Sequence, residues 1–213
     1  MAIIVPSILE STAEGFSNTC SRVTRVAGVE RIHIDFCDGI FVPNTTIKVG
    51  DIDILNPAYT WEAHLMLSEP TEFFDYSMLG FKVVIVHFEA YKTVESLLTA
   101  VRAIKQQGLK PGVAIKPGTD VSVLRKVDET EFFQVMGVEP GFQGAVMVDS
   151  TPSRVATLRN TIPHAIIEVD GGVKLINVKQ LSNSGADLLN VGSGLVQVPD
   201  MQDAYDKLVA EIS

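Results

Sequence analysis

The sequence predicts a compact (β/α)8 barrel in a single domain over residues 1–213. Three observations predict it. Short runs rich in Val and Ile recur along the whole length, and several, such as Val83–Val86, are continuously apolar. That pattern suits parallel strands buried on both faces. Eight such units in 213 residues allow about 27 residues each, close to the smallest size of a strand–helix–strand unit. The alternative, an open doubly wound sheet, usually carries a Gly-rich fingerprint after its first strand. Here that position reads VPSILES, with no GxGxxG.

In chain order, strands are expected at Ile3–Ile8, Arg31–Asp35, Thr60–Met66, Lys82–His87, Lys110–Ile115, Phe132–Met136, Ala165–Val169 and Asp187–Val191. Helical segments are expected between them. Thr93–Gln107 places Val94, Leu97, Leu98, Val101 and Ile104 on one face and stops at Gly108, a good cap. Ser153–Asn160, Lys174–Ser184 and Met201–Ile212 are further helices, the last with Asp200 as N-cap. Lys48–Pro57 is too short and too punctuated for a full crossover helix, so the second unit is expected to be trimmed.

Lys plus Arg is 17 and Asp plus Glu is 26, for a formal charge of −9. Such a balance argues against a nucleic-acid surface and against anionic membranes. It leaves room for a small anionic substrate, because a local site can oppose the global charge. Two cysteines, Cys20 and Cys37, are too few for a disulfide framework and lack CxxC spacing, so a reducing, cytoplasmic setting is expected. The first residues, MAIIVPSILESTAEGF, have no basic stretch, and their apolar run is broken by Pro6 and Ser7. They do not read as a signal peptide. No stretch approaches the ~20 apolar residues of a membrane-spanning helix.

In a barrel of this kind the chemistry sits at the C-terminal ends of the strands, and the unusual polar residues fall there. His33 and Asp35 are two apart on one strand and so share a face. His64 lies inside the next apolar strand, and Asp170 ends another just before Gly171-Gly172. Each has an ordinary structural use: a hydrogen-bonded strand-end pair, a buried histidine, a helix cap. Together, two imidazoles and two carboxylates make a mixed N/O set suited to one divalent metal ion. A second theme is glycine. Loops after the last three strands hold Gly141 and Gly144, Gly171 and Gly172, and Gly192-Ser193-Gly194. Such loops let backbone N–H groups approach a phosphate, and they also serve as plain tight turns.

These residues lie within segments that resemble the ribulose-phosphate 3-epimerase family. The matching runs are VPSILES (Val5–Ser11), HIDFCDGIFVPN (His33–Asn44), EAHLM (Glu62–Met66), VHFEA (Val86–Ala90), GVAIKPGT (Gly112–Thr119), VMGVEPGFQG (Val135–Gly144), EVDGGV (Glu168–Val173) and GADLLNVGSGL (Gly185–Leu195). They span nearly the whole chain in the family's order.

The resemblance implies a TIM barrel of the ribulose-phosphate-binding type that interconverts D-ribulose 5-phosphate and D-xylulose 5-phosphate. It places metal ligands on His33, Asp35, His64 and Asp170, with Asp35 and Asp170 as the acid/base pair. It places substrate contacts on Ser7, His64, Met66 and Met136. Phosphate contacts fall on Gly141, Gly144, Gly171, Gly172, Gly192 and Ser193. It implies one divalent ion (Zn, Fe, Mn or Co), a small phosphorylated sugar as partner and a homo-oligomer. Inverting a carbon next to a carbonyl takes a proton from one face and returns one to the other, which suits two carboxylates on opposite sides of the substrate. A metal would stabilise the enediolate as charge develops.

Three positions depart from the family's pattern. Cys37 replaces a methionine, Lys116 replaces an asparagine, and Gln143 replaces a glycine in the loop PGFQGA. The segment around Gly50–Asn56 is also shorter. These changes bear on substrate identity, and a related ketose phosphate such as allulose 6-phosphate is the alternative substrate. An aldolase or decarboxylase on the same barrel, as in hexulose-phosphate synthase, predicts a DxKxxD run, and His33–Asp38 lacks the lysine. A non-catalytic phosphosugar-binding barrel predicts a lost ligand, and all four are present.

Overall fold

The structure, a computed structural model, describes residues 2–213. Eight strands close into a parallel barrel in sequence order: β1 (Ile3–Ile8), β2 (Arg31–Cys37), β3 (Thr60–Met66), β4 (Val83–His87), β5 (Lys110–Ile115), β6 (Phe132–Met136), β7 (Ile166–Asp170) and β8 (Leu188–Val191). β8 pairs with β1 to close the ring. The expected strands match within one or two residues. β2 runs on to Cys37 and β7 takes in Asp170, so both aspartates lie within strands.

The helices are α1 (Ala13–Val23), α2 (Phe74–Leu79), α3 (Val94–Gln106), α4 (Thr151–Thr161), α5 (Val178–Asn183), α6 (Ser193–Val196) and α7 (Met201–Ile212). The second unit is trimmed, as expected, and one further unit lacks the helix expected of it. Between β2 and β3 only a 3-10 turn forms, at Val49–Asp51, and between β5 and β6 another, at Val121–Lys126. The expected helix over 174–184 is shortened at its start, because the chain after β7 first makes turns up to Asn177. Asp170 therefore caps no helix.

α1 forms in spite of Gly15, Ser17, Asn18 and Thr19, which are weak helix formers. The Thr12 hydroxyl accepts from the Gly15 N–H, and Phe16, Thr19 and Val23 are buried. Capping plus burial of one face outweighs propensity here.

The main core lies between strands and helices and includes Ile4, Ile32, Phe36, Val84, Val101, Phe133 and Leu189. A smaller apolar cluster, Val5, Val83, Ile85, Ala114, Phe132 and Leu188, packs apart from it. By strand alternation these residues face the opposite side of the sheet, the barrel interior. Further along the same inward rows the side chains become polar: Ser7, His33, Glu62, Gln134, Glu168 and Asn190, then Asp35, His64 and Asp170. No helix among the described residues is long and apolar enough to cross a membrane.

Candidate active site

Strand register builds the site. Asp35 of β2 sits beside His64 of β3, and Met136 of β6 sits beside Asp170 of β7. His33, Asp35, His64 and Asp170 are all buried, and one donor atom from each lies within 4.8 Å of the others. His64 Nδ1 is 2.7 Å from Asp35 Oδ1 and 3.6 Å from Asp170 Oδ2. His33 Nε2 is 3.4 Å from Asp35 Oδ1. That nitrogen is buried and makes no hydrogen bond. An orphaned ring nitrogen facing a carboxylate suits a cation held between them, because buried polar atoms normally find a partner. The donor set, two imidazoles and two carboxylates, also suits a divalent ion.

The electrostatics separate the two aspartates. Burial works against an ionised Asp35, but the neighbouring His33 and His64 imidazoles outweigh it and hold its carboxyl well below the usual range. Burial, then the negative charge of Asp35, pushes Asp170 up. Burial also opposes a charged His33, yet Glu168, Asp35 and Glu62 outweigh it and raise that imidazole.

The cluster opens into a cleft at the barrel mouth. Its lining includes Ser7, Asp35, Met66, Met136, Gly141, Gly144, Asp170, Gly171, Gly172, Gly192 and Ser193, every site residue expected from sequence except His33 and His64. Those two lie beneath it, fully buried. The Ser7 hydroxyl donates to Asp35 Oδ2 at 2.9 Å. Gly171 and Gly172 have φ of +91° and +74°, so the turn requires glycine. A Cβ on Gly172 would stand 2.8 Å from the Met147 backbone nitrogen. A helix starts directly behind the β8 loop, as α6, but not behind the β7 loop.

The departures resolve individually. Cys37 is buried, its sulfur 3.9 Å from that of Met66, and it packs with Val42 rather than lining the cleft. Lys116 also lies outside the lining, its ammonium 4.0 Å from the centre of the Phe41 ring. Gln143 does line the cleft. It donates to the Ser7 carbonyl at 3.3 Å and accepts from Gln197 at 3.1 Å, tying the β1, β6 and β8 loops together.

Below the mouth cluster lies a second buried group that sequence reasoning missed. Glu62 and Glu168 flank His33 Nδ1 at 3.3 and 3.4 Å. Arg31 pairs with Glu62. Burial, then the charge of Glu62, pushes Glu168 up to about 8, and both its oxygens lack partners. His87 ends β4 with its side chain fully buried. It touches His64, and burial lowers it to about 4.

A family model described as the Ribulose-phosphate 3 epimerase family matches residues 3–196. The chain belongs to this family. A ribulose-phosphate 3-epimerase of Eremothecium gossypii is 34% identical, with 94% of this chain and 89% of that protein aligned. One from Bacillus subtilis is 31% identical over 98% of each. The chain is thus an isomerase of the epimerase type. Solved structures share the fold at low identity. A KGPDC from Streptococcus mutans has a TM-score of 0.75 at 12% identity, covering 100% of this chain and 97% of that one. A 3-hexulose-6-phosphate synthase has 0.73 at 16%, covering 99% of both.

Proposed function

We propose that the chain inverts C3 of a ketose phosphate, interconverting D-ribulose 5-phosphate and D-xylulose 5-phosphate, with Asp35 and Asp170 as the acid/base pair. The observation that carries this is the placement of these two carboxylates. They come from β2 and β7, border the same cleft and share one buried cluster with His33 and His64.

In this reading one aspartate takes the proton from C3, leaving an enediolate. The other gives a proton to C3 from the opposite face, and the reverse reaction exchanges their roles. Either carboxylate is suited to both tasks, since each gains or loses one proton per turnover. His33, Asp35, His64 and Asp170 would hold one divalent ion, with zinc, iron, manganese and cobalt all compatible with the donors. That ion supplies fixed positive charge against the developing enediolate.

Ser7 orients Asp35 through its hydroxyl. Met66 and Met136 border the reacting carbons, and His64 acts from beneath the cleft as a metal donor. The loops carrying Gly141, Gly144, Gly171, Gly172, Gly192 and Ser193 take the phosphate through backbone N–H groups. The protein works in the cytoplasm as a homo-oligomer.

The test is turnover on a panel of ketose phosphates, including allulose 6-phosphate. The highest kcat/KM is expected on D-ribulose 5-phosphate. A tenfold preference for another ketose phosphate would replace the substrate, and no turnover on any member would overturn the reading.

A further inference from the structure

The His64 ring has two working sides. Nδ1 faces Asp35 and Asp170, as described. Nε2 points away from the cleft and lies 2.8 Å from Nε2 of His87, a fully buried residue at the end of β4. Two ring nitrogens at that distance share one proton, with one donating and one accepting.

The far side of His87 decides which. Its Nδ1 is 3.4 Å from Glu89 Oε2, outside the metal-ligand cluster, where it is satisfied as N–H toward that carboxylate. Glu89 is itself held in place. Its Oε1 accepts from the Lys116 backbone N–H at 2.7 Å and from the Thr119 hydroxyl at 2.5 Å. Arg154 donates to the carbonyls of Lys116 and Thr119, which fixes that loop. Phe41 packs on His87, ring centres 4.8 Å apart, beneath the Lys116 ammonium.

With its proton on Nδ1, neutral His87 presents a lone pair at Nε2. His64 then carries its own proton on Nε2, and its Nδ1, 2.7 Å from Asp35 Oδ1, would offer its lone pair to a cation held in the cluster rather than an N–H to that carboxylate. Gln134 also approaches His64 Nε2, at 3.1 Å through its amide nitrogen, and its Oε1 has no partner. Turned over, that amide would be a second acceptor for the same proton.

We propose that His87 and Glu89 are positioning residues, fixing the tautomer and orientation of His64 so that Nδ1 serves as a metal donor. The assignment rests on the metal reading above. It also gives a task to VHFEA, a sequence run that the reaction itself leaves unused. Groups that orient a ligating histidine in this way typically change metal affinity by about 10- to 100-fold when removed.

The test is cobalt(II) titration of the metal-free protein against a competing chelator, with the visible d–d spectrum recorded. His87→Leu is expected to weaken cobalt binding by roughly 10- to 100-fold and to shift the bands. His87→Gln, whose amide oxygen still accepts from His64, is expected to restore most of the affinity and the wild-type spectrum. Unchanged affinity and spectrum in His87→Leu would overturn the proposal, as would a His87→Gln protein as weak as His87→Leu. Where His87→Leu fails to fold, Glu89→Ala decides. A several-fold loss of affinity is expected, and wild-type affinity refutes the role. Wild-type protein that takes up no cobalt overturns the metal reading and this one with it. Wild-type uptake with unaltered variants overturns this one alone.

Discussion

Two buried polar layers meet at His33, and they handle their charge in different ways. The lower layer compensates itself. Glu62 is ionised against Arg31, while Glu168, pushed up to about 8 by burial and then by Glu62, keeps its proton at neutral pH. The upper layer holds two more carboxylates, Asp35 and Asp170, and among the described residues their ion pairs are to histidines alone. No Lys or Arg balances them. One His33 nitrogen faces each layer: Nδ1 is flanked by the glutamates below, and Nε2 is left without a partner above. The same residue types thus set an arginine against a carboxylate in one layer, where the Glu168 oxygens are left without hydrogen bonds, and leave two carboxylates with histidines alone in the other. The upper layer is the one that reaches the cleft.

This contrast is broken most severely from above. Asp170→Asn keeps the size of the side chain and removes its proton chemistry. Turnover in a coupled assay is expected to fall by ~10³-fold or more, with the thermal midpoint little changed. Near-normal turnover would mean that the upper layer carries no two-carboxylate mechanism.

The lower layer should answer in stability instead. Glu62→Leu leaves the Arg31 guanidinium without its partner and His33 without one of its flanking carboxylates. Removing one partner of a largely buried pair costs about 3 kcal/mol, or roughly 10 °C in a chain of this size. Calorimetry or a CD melt measures it. A midpoint within 2 °C of wild type would show that the pair is not a structural support.

Glu168→Gln is the mildest change and has a defined sign. Glu168 has a folded value near 8 against an ordinary 4.5. Its contribution to stability is therefore full below about 4.5 and is lost as pH rises through 8. Glutamine does not titrate. In melts of metal-free protein, the variant should gain on wild type by several degrees between pH 5 and pH 8. A constant offset across that range would mean that Glu168 is already ionised in the folded state.

How far the sequence discloses this arrangement depends on how local each feature is. The strands are legible because each is an apolar run in which backbone geometry and burial agree. α1 is not, because Gly15, Ser17, Asn18 and Thr19 look like loop. Its helix depends on the Thr12 cap and on burying Phe16 and Val23. The 3-10 turn at Val121–Lys126, capped by Asp120 and with Val121 and Leu124 buried, stands where a helix is expected.

In the site, His33 and Asp35 are legible as a pair two apart on one strand. The same rule, carried to Glu62 with His64 and to Glu168 with Asp170, discloses the lower layer, because those residues share the inward face. The contact between His64 and His87 is not legible. It depends on how β3 and β4 rings tilt across the barrel. Nor is the reach of Gln143 to the β1 and β8 loops, which is a matter of loop path rather than pattern.

The central claim is that the upper layer moves a proton at C3 between two carboxylates. The most direct measurement is solvent isotope incorporation. Metal-loaded protein is incubated with D-ribulose 5-phosphate in deuterium oxide, and the products are read by NMR. The account predicts D-xylulose 5-phosphate carrying deuterium at C3 and at no other carbon. Product with no solvent deuterium at C3, or no inverted product at all, would contradict it.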